Sequence, residues 1–196
     1  MSTSSNELGG RLPLTERSSL SRSQRQLWDR MTESVVPWAE RAGFASRTDD
    51  GRFIGPFNPS LLSPVTAGSF LDFQGAEEKN TSLSPRVRQV VILAVGSVWR
   101  SAYELYAHSA EGQKTGLSAE AVQALAAGQM PSELSAAEQA AWRFTHQLTA
   151  ERRVEQPVYD QAQRAVGANG IADMLLLIGA YQTVCGLLNT FEIPAP

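Results

Sequence analysis

The spacing of apolar residues along this chain is helical almost throughout. In SQRQLWDRMTESVVPWAERAGF, from Ser23, the residues Leu27, Met31, Val35 and Trp38 recur at three- and four-residue intervals and share one face. Pro37 predicts a kink or an end to that helix, and Gly43 its close. RTDDGRFIGPFNP reads as a turn-rich connector with room for a short hairpin at Asp50-Gly51. Asn58-Pro59 reads as an N-cap followed by a first-turn proline, opening PSLLSPVTAGSFLDF, with Pro64 a disturbance inside it. Ser84-Pro85 repeats the start signal before RVRQVVILAVGSVW. Ser118 caps AEAVQALAAG, which Gly128 ends. SAAE, Ser135 to Glu138, is a capping box before QAAWRFTHQLTA. Pro157 starts VYDQAQRAVG, and ADMLLLIGAYQTVCGLLNTF is the last long helix, stopped by Pro194. No segment sustains the period-2 alternation of a strand. The pattern predicts an all-α fold of seven or eight helices in one domain, residues 21–196. Residues 1–20 are Ser- and Gly-rich without periodicity and are read as a flexible arm.

Two runs, Val90 to Val98 and Met174 to Leu188, are apolar nearly all round. Helices of that kind lie in a core or a subunit interface, so part of the core is expected to be shared in a homo-oligomer. The net charge of −3 argues against nucleic acid as a partner, since phosphate binding needs an excess of clustered cations. The start of the chain lacks the apolar segment of a signal peptide, and no run reaches the length of a membrane span, which leads to an expected cytoplasmic location with no membrane partner. The single cysteine, Cys185, permits no intrachain disulfide and no cysteine-based metal site, and with no cation nearby in sequence it reads as a small buried hydrophobe. No phosphate loop, nucleophile elbow or dinucleotide fingerprint occurs. No metal or cofactor is expected.

The strongest chemical signal is in VWRSAYELYAHSAEGQKTGLS. At 100° per residue, Ser97, Arg100, Ser101, His108 and Glu111 all fall within about 60° of Glu104 on a helical wheel. A carboxylate one turn before an imidazole can fix its tautomer and raise its basicity, as acid–base catalysis requires. The same stripe also fits the solvated face of an amphipathic helix, and spacing alone favours that second reading. Gln89, Asn189 and Tyr181 interrupt apolar runs; each must find a partner in a neighbouring helix or line a pocket. His146 reads as structural or exposed. One Glu and one His on a helix supply too few ligands for a metal.

The span SLSPRVRQVVILAVGSVWRSAYELYAHSAEGQKTGLSAEAVQAL resembles the carboxymuconolactone decarboxylase-like superfamily, which includes alkylhydroperoxidase D-like proteins. The elements that carry the resemblance are Arg86, Arg88, Trp99, Tyr103, Glu104, His108 and the Gly116-Leu117-Ser118 turn. A looser likeness runs from residue 55 to the end. The resemblance implies an all-α, alkylhydroperoxidase D-like bundle assembled as a trimer or hexamer, with pockets near subunit contacts and Glu104 and His108 lining them; it brings the catalytic and solvated readings level. It also exposes departures. The peroxidase branch carries Cys-x-x-Cys ahead of the histidine, where this chain has Ser101 and Glu104, so dithiol peroxide reduction lacks both thiols. The glutamate usual in the preceding helix is Gln89 here. The expectation is a cofactor-independent, lyase-like enzyme acting on a small oxygenated organic acid or lactone. In it His108 is the acid–base, oriented by Glu104 and made more basic than a free imidazole. Arg100 holds the substrate carboxylate, and Trp99, Tyr103, Gln89, Tyr181 and Asn189 contact the substrate. The alternative is a non-catalytic binding or scaffolding protein that keeps the fold.

Overall fold

A computed structural model describes residues 8–196, and among these the chain is all-α. Its helices are α1 (Arg22–Ala42), α2 (Phe57–Ser60), α3 (Pro64–Asn80), α4 (Pro85–Trp99), α5 (Ala102–Lys114), α6 (Ala119–Ala126), α7 (Ala136–Glu151) and α8 (Gln156–Thr190). The apolar run of α4 becomes the centre of the molecule: Val87, Gln89 and every residue from Val90 to Gly96 are buried. Helices α7 and α8 pack on one side of α4 and on each other, α5 and α6 on another, while α1 lies over α5 and α3 bridges α1 and α8.

Local chemistry sets most boundaries as the sequence predicts. The Ser84 hydroxyl accepts from Val87 N at 3.3 Å with Pro85 in the first turn. Ser118 caps α6, and Ser135 with Glu138 forms the expected capping box on α7. An unforeseen box, Ser21 with Gln24, opens α1.

Several boundaries differ. Helix α1 runs through Pro37 to Ala42, because Val35, Val36 and Ala39 bury against the core on either side of the lost hydrogen bond. Asn58 is not an N-cap: it lies inside α2, where its Oδ1 accepts from Thr15 N at 3.0 Å and its Nδ2 donates to Pro13 O at 3.2 Å. Pro64 does not disturb a helix but opens α3. The Asp50-Gly51 turn closes only an isolated bridge between Arg47 and Phe53. Helix α8 joins the two segments expected around Gly167, whose backbone (φ 69°, ψ −179°) is non-helical and kinks it. That makes α8 long and apolar enough to cross a membrane by length and composition. Its Met174, Leu177, Ile178, Cys185 and Leu188 are nevertheless packed in the core, with Leu175 and Leu176 exposed. Of the segment read as a flexible arm, residues 1–7 lie outside the described residues. Residues 8–20 are seated on the domain: Leu14 and Leu20 are buried, and Arg11 N donates to Phe191 O at 2.7 Å.

Candidate active site

Helix α4 ends at Trp99, and Arg100 takes a left-handed conformation (φ 52°) that reorients the chain before α5 begins. Ser101 is the N-cap residue of α5. The wheel drawn through Arg100 and Glu104 therefore spans two helices, and its stripe is broken: Arg100 faces solvent while Glu104 and His108, both on α5, turn into the core and are each 3% exposed.

Around His108 the fold gathers polar groups from three helices. His108 Nε2 stands 3.2 Å from Glu104 Oε1. His108 Nδ1 lies 3.0 Å from Oε1 of Gln89, which projects from α4. An amide oxygen only accepts, so Nδ1 carries the hydrogen and the Nε2 lone pair faces Glu104. The Tyr181 ring of α8 meets the imidazole edge-on at 4.9 Å, and Trp38 of α1 stands 6.3 Å away on a tilted plane. Trp38 Nε1 donates to Glu111 Oε1 at 3.1 Å, which fixes the indole over the cluster. Arg88, next to Gln89 in sequence, pairs with Glu77 of α3, the two side chains being 12% and 5% exposed. The Ser101 hydroxyl and Glu104 Oε1 are buried without a well-formed hydrogen bond. The Cys185 thiol of α8 lies beside both, and burial pushes it up.

Burial decides the charge state. It raises the Glu104 carboxyl from 4.5 to about 8. It lowers His108 from 6.5 to about 3, with the positive charge of Arg88 acting in the same direction. The expectation that Glu104 makes His108 more basic is thus overturned. A carboxylate raises an imidazole only if it is charged, and here loss of water makes the neutral pair, carboxylic acid with neutral imidazole, the stable one. Besides the His108 Nδ1–H, the proton the two groups could exchange rests on Glu104.

Of the expected substrate contacts, Gln89 and Tyr181 are brought to His108 and four residues are not. Arg100 is exposed for the reason above. Trp99 is 37% exposed at the end of α4, with Gly186 as a neighbour. Tyr103 buries its ring against Gly55 and Tyr106, and its hydroxyl donates to Ala45 O at 2.5 Å. Asn189 is exposed and donates through Nδ2 to Trp99 O at 2.7 Å, a cap on the C-terminus of α4. Sequence reading placed Glu111 on the stripe and Trp38 on an apolar face without giving either a site role, and it missed Glu77; the three arrive from the far end of α5, from α1 and from α3. No group of three or more His, Cys, Asp or Glu able to hold a metal occurs among the described residues. Two surface clefts flank the 44–52 loop, lined by residues such as Glu40, Phe44 and Asp50, and neither reaches Glu104 or His108.

The all-α bundle, with α4 at its centre and α5 packed against it, has the alkylhydroperoxidase D-like fold. Residues 64–147, which contain Arg88, Gln89, Glu104 and His108, match the model of the carboxymuconolactone decarboxylase family. Over that span the chain resembles the carboxymuconolactone decarboxylase family, and its fold is that of alkylhydroperoxidase D-like structures. A search of curated protein sequences finds no match.

Solved structures share the fold at low identity. An alkylhydroperoxidase AhpD core, a peroxidase-related protein from Ralstonia eutropha JMP134, superposes with a TM-score of 0.72 at 14% identity, covering 96% of this chain and 93% of that one. A protein of unknown function from Agrobacterium tumefaciens related to the antioxidant defence protein AhpD gives 0.65 at 16% identity, covering 71% and 96%. The debrominase Bmp8, as a cysteine-to-alanine variant in complex with 2,3,4-tribromopyrrole, gives 0.70 at 14% identity, covering 97% and 92%.

Proposed function

We propose that this protein is a proton-transfer enzyme that uses its own side chains to act on a small oxygenated organic acid or lactone, with decarboxylation as the leading reaction. The observation that carries the reading is the buried pair: a protonated Glu104 beside a neutral His108 whose tautomer Gln89 fixes. In decarboxylation next to a carbonyl, the C–C bond breaks, carbon dioxide leaves, and its electron pair forms an enolate. The Glu104 carboxyl supplies the proton to carbon, becoming a carboxylate until it is reprotonated from water. Once Glu104 has given up its proton, the His108 Nε2 lone pair is the base in the reverse sense for isomerisation or ring opening of a lactone. The roles are thus exchanged relative to the sequence expectation: the acid is Glu104, and the imidazole accepts. Dithiol chemistry is outside the reach of a chain with one cysteine.

The debrominase neighbour, which holds a tribrominated pyrrole, lends support to a small planar ligand in this fold. The exposed Leu175 and Leu176 on α8 support assembly as a homo-oligomer, and light scattering at micromolar concentration is expected to give a mass above the 21.3 kDa of the chain. Mass spectrometry of a mixed library of small keto acids and lactones incubated with the protein tests the activity. His108→Ala and Glu104→Ala should lower turnover by roughly 10² to 10⁴-fold. Turnover that is unchanged in both variants refutes the reading and leaves a binding or scaffolding role.

A further inference from the structure

We propose that Arg88 is the anion anchor of this site and that Glu77, carried on the loosely seated helix α3, occupies it as an internal stand-in for a ligand carboxylate. The inference deepens the reading above and rests on it for the place of the site. It starts from a closed door: Glu104 and His108 are each 3% exposed, so no ligand reaches them unless part of the fold moves. Every other α-helix among the described residues buries at least three residues, and α3 buries none. Ala67, Phe70 and Leu71 pack half-buried against the core, and Val65 and Phe73 face solvent. Polar contacts add to this seating. Arg30 donates to Gly68 O at 2.9 Å and pairs with Asp72 at 2.6 Å in the open, and Ser82 binds Asp173 of α8 just past its end. Glu77–Arg88 is the one ion pair of α3 that is nearly dry.

A buried guanidinium needs an anionic, planar partner, and removing that partner without replacement is strongly unfavourable. Glu77 therefore leaves Arg88 readily only when another carboxylate takes its place. That exchange conserves charge and hydrogen bonds, and it lifts α3, which buries no residue fully, from the cluster. The position is right for chemistry. Arg88 precedes Gln89, the partner of His108, and its charge is felt at His108 and at Tyr181. Other acids around it, Glu78 and Glu111, have different tasks or exposure: Glu111 is held by Trp38, and Glu78 is exposed. The anchor that sequence reading assigned to Arg100 thus falls to Arg88, and the ligand class is a small planar monoanion bearing a carboxylate.

Binding of benzoate and of its uncharged counterpart benzamide, measured by calorimetry on the full chain, tests the exchange. Glu77→Gln removes the internal competitor and should tighten benzoate binding by about tenfold or more with benzamide unaffected. Arg88→Met should abolish the preference for benzoate. Should that variant fail to fold, with Glu77 left as an unpaired buried charge, Glu77→Gln/Arg88→Met removes both charges and is expected to show the same loss. Hydrogen exchange in residues 64–80 should speed up when benzoate binds the native protein. Benzoate that fails to bind Glu77→Gln at millimolar concentration, or binds it no better than it binds the native protein or the Arg88 variants, overturns the proposal. So does exchange in α3 that slows with protein concentration and ignores benzoate, since that marks α3 as a face covered by a second copy. None of these readouts involves turnover. Arg88-dependent binding with unchanged activity in His108→Ala refutes only the catalytic reading, and loss of activity in His108→Ala without Arg88-dependent binding refutes only the anchor.

Discussion

Replacing Glu104 by Gln separates the two possible states of the buried pair. If Glu104 is a protonated acid, Gln reproduces its shape and its donor, and the variant should fold at pH 6 with a loss below about 1.5 kcal/mol. A native Glu104–His108 ion pair would instead be broken, at a cost of about 3–5 kcal/mol. The pH dependence sharpens the contrast. The carboxyl titrates at 4.5 when unfolded and at about 8 in the fold, so above 4.5 the folded state holds a proton that the unfolded state has lost, and its contribution to stability declines as pH rises to about 8. The imidazole titrates at 6.5 unfolded and at about 3 folded, so its contribution declines as pH falls below 6.5. Between 4.5 and 6.5 each state holds one proton and the slopes cancel. From pH 6.5 to 8 the carboxyl acts alone, and at 1.36 kcal/mol per pH unit the native protein should lose about 2 kcal/mol that Glu104→Gln keeps. Urea unfolding of both proteins from pH 5 to 8.5 measures the difference, in which other titrating groups drop out. Parallel curves from 6.5 to 8, or a loss of several kcal/mol at pH 6, would refute a protonated Glu104.

Three further substitutions probe the surroundings. Gly55→Ala meets both a left-handed backbone (φ 61°) and the Tyr103 ring 2.2 Å from the new Cβ, so thermal unfolding should show a loss of about 3 kcal/mol or no folded protein. Asn189→Ala removes the bond to Trp99 O and should cost about 1 kcal/mol, leaving ligand binding and turnover as they are; a selective loss of turnover would return Asn189 to the site. Gln89→Leu takes away the acceptor that fixes His108 Nδ1–H, and the nitrogen resonances of the imidazole should then report a mixture of tautomers where the native protein shows one.

The helices were legible where a boundary depends on neighbours in sequence. Ser84-Pro85, Ser118 and Ser135 with Glu138 act through atoms within four residues, and the structure places them as read. Asn58-Pro59 carries the same local signal, yet the Asn58 amide is recruited by residues 13 and 15, a tertiary use that the dipeptide does not encode. Arg100 shows the opposite failure. No glycine marks the break after α4, so a wheel extended through it joined side chains that point into different halves of space. Within α5 the wheel was sound: four residues apart meant 3.2 Å apart. The Gln89–His108 contact joins positions 19 residues apart on two helices, and only the family resemblance put both in one site. Protonation was out of reach, because spacing fixes which groups meet and burial fixes which of them is charged.

The departures from the peroxidase pattern make sense together once the geometry is known. Where that pattern has a glutamate on the fourth helix and a thiol one turn before the histidine, this chain has Gln89 and Glu104. In this chain the carboxyl lies on the Nε2 side of the imidazole and an amide on the Nδ1 side. An acid on both sides would set two ionisable carboxyls around one buried ring, and one would be driven to protonate or to disrupt the packing. An amide on Nδ1 avoids this: it accepts a hydrogen bond, carries no charge, and leaves Glu104 as the only proton source touching His108. Glu104 in place of a thiol also leaves Ser101 and Cys185 beside it as uncharged neighbours. That favours the protonated carboxyl, since nothing there stabilises an anion. Glu104, which with Ser101 ends dithiol chemistry, thus combines with Gln89 to produce a dry carboxyl–imidazole pair, and the neighbouring cation, Arg88, is held by an acid borrowed from another helix.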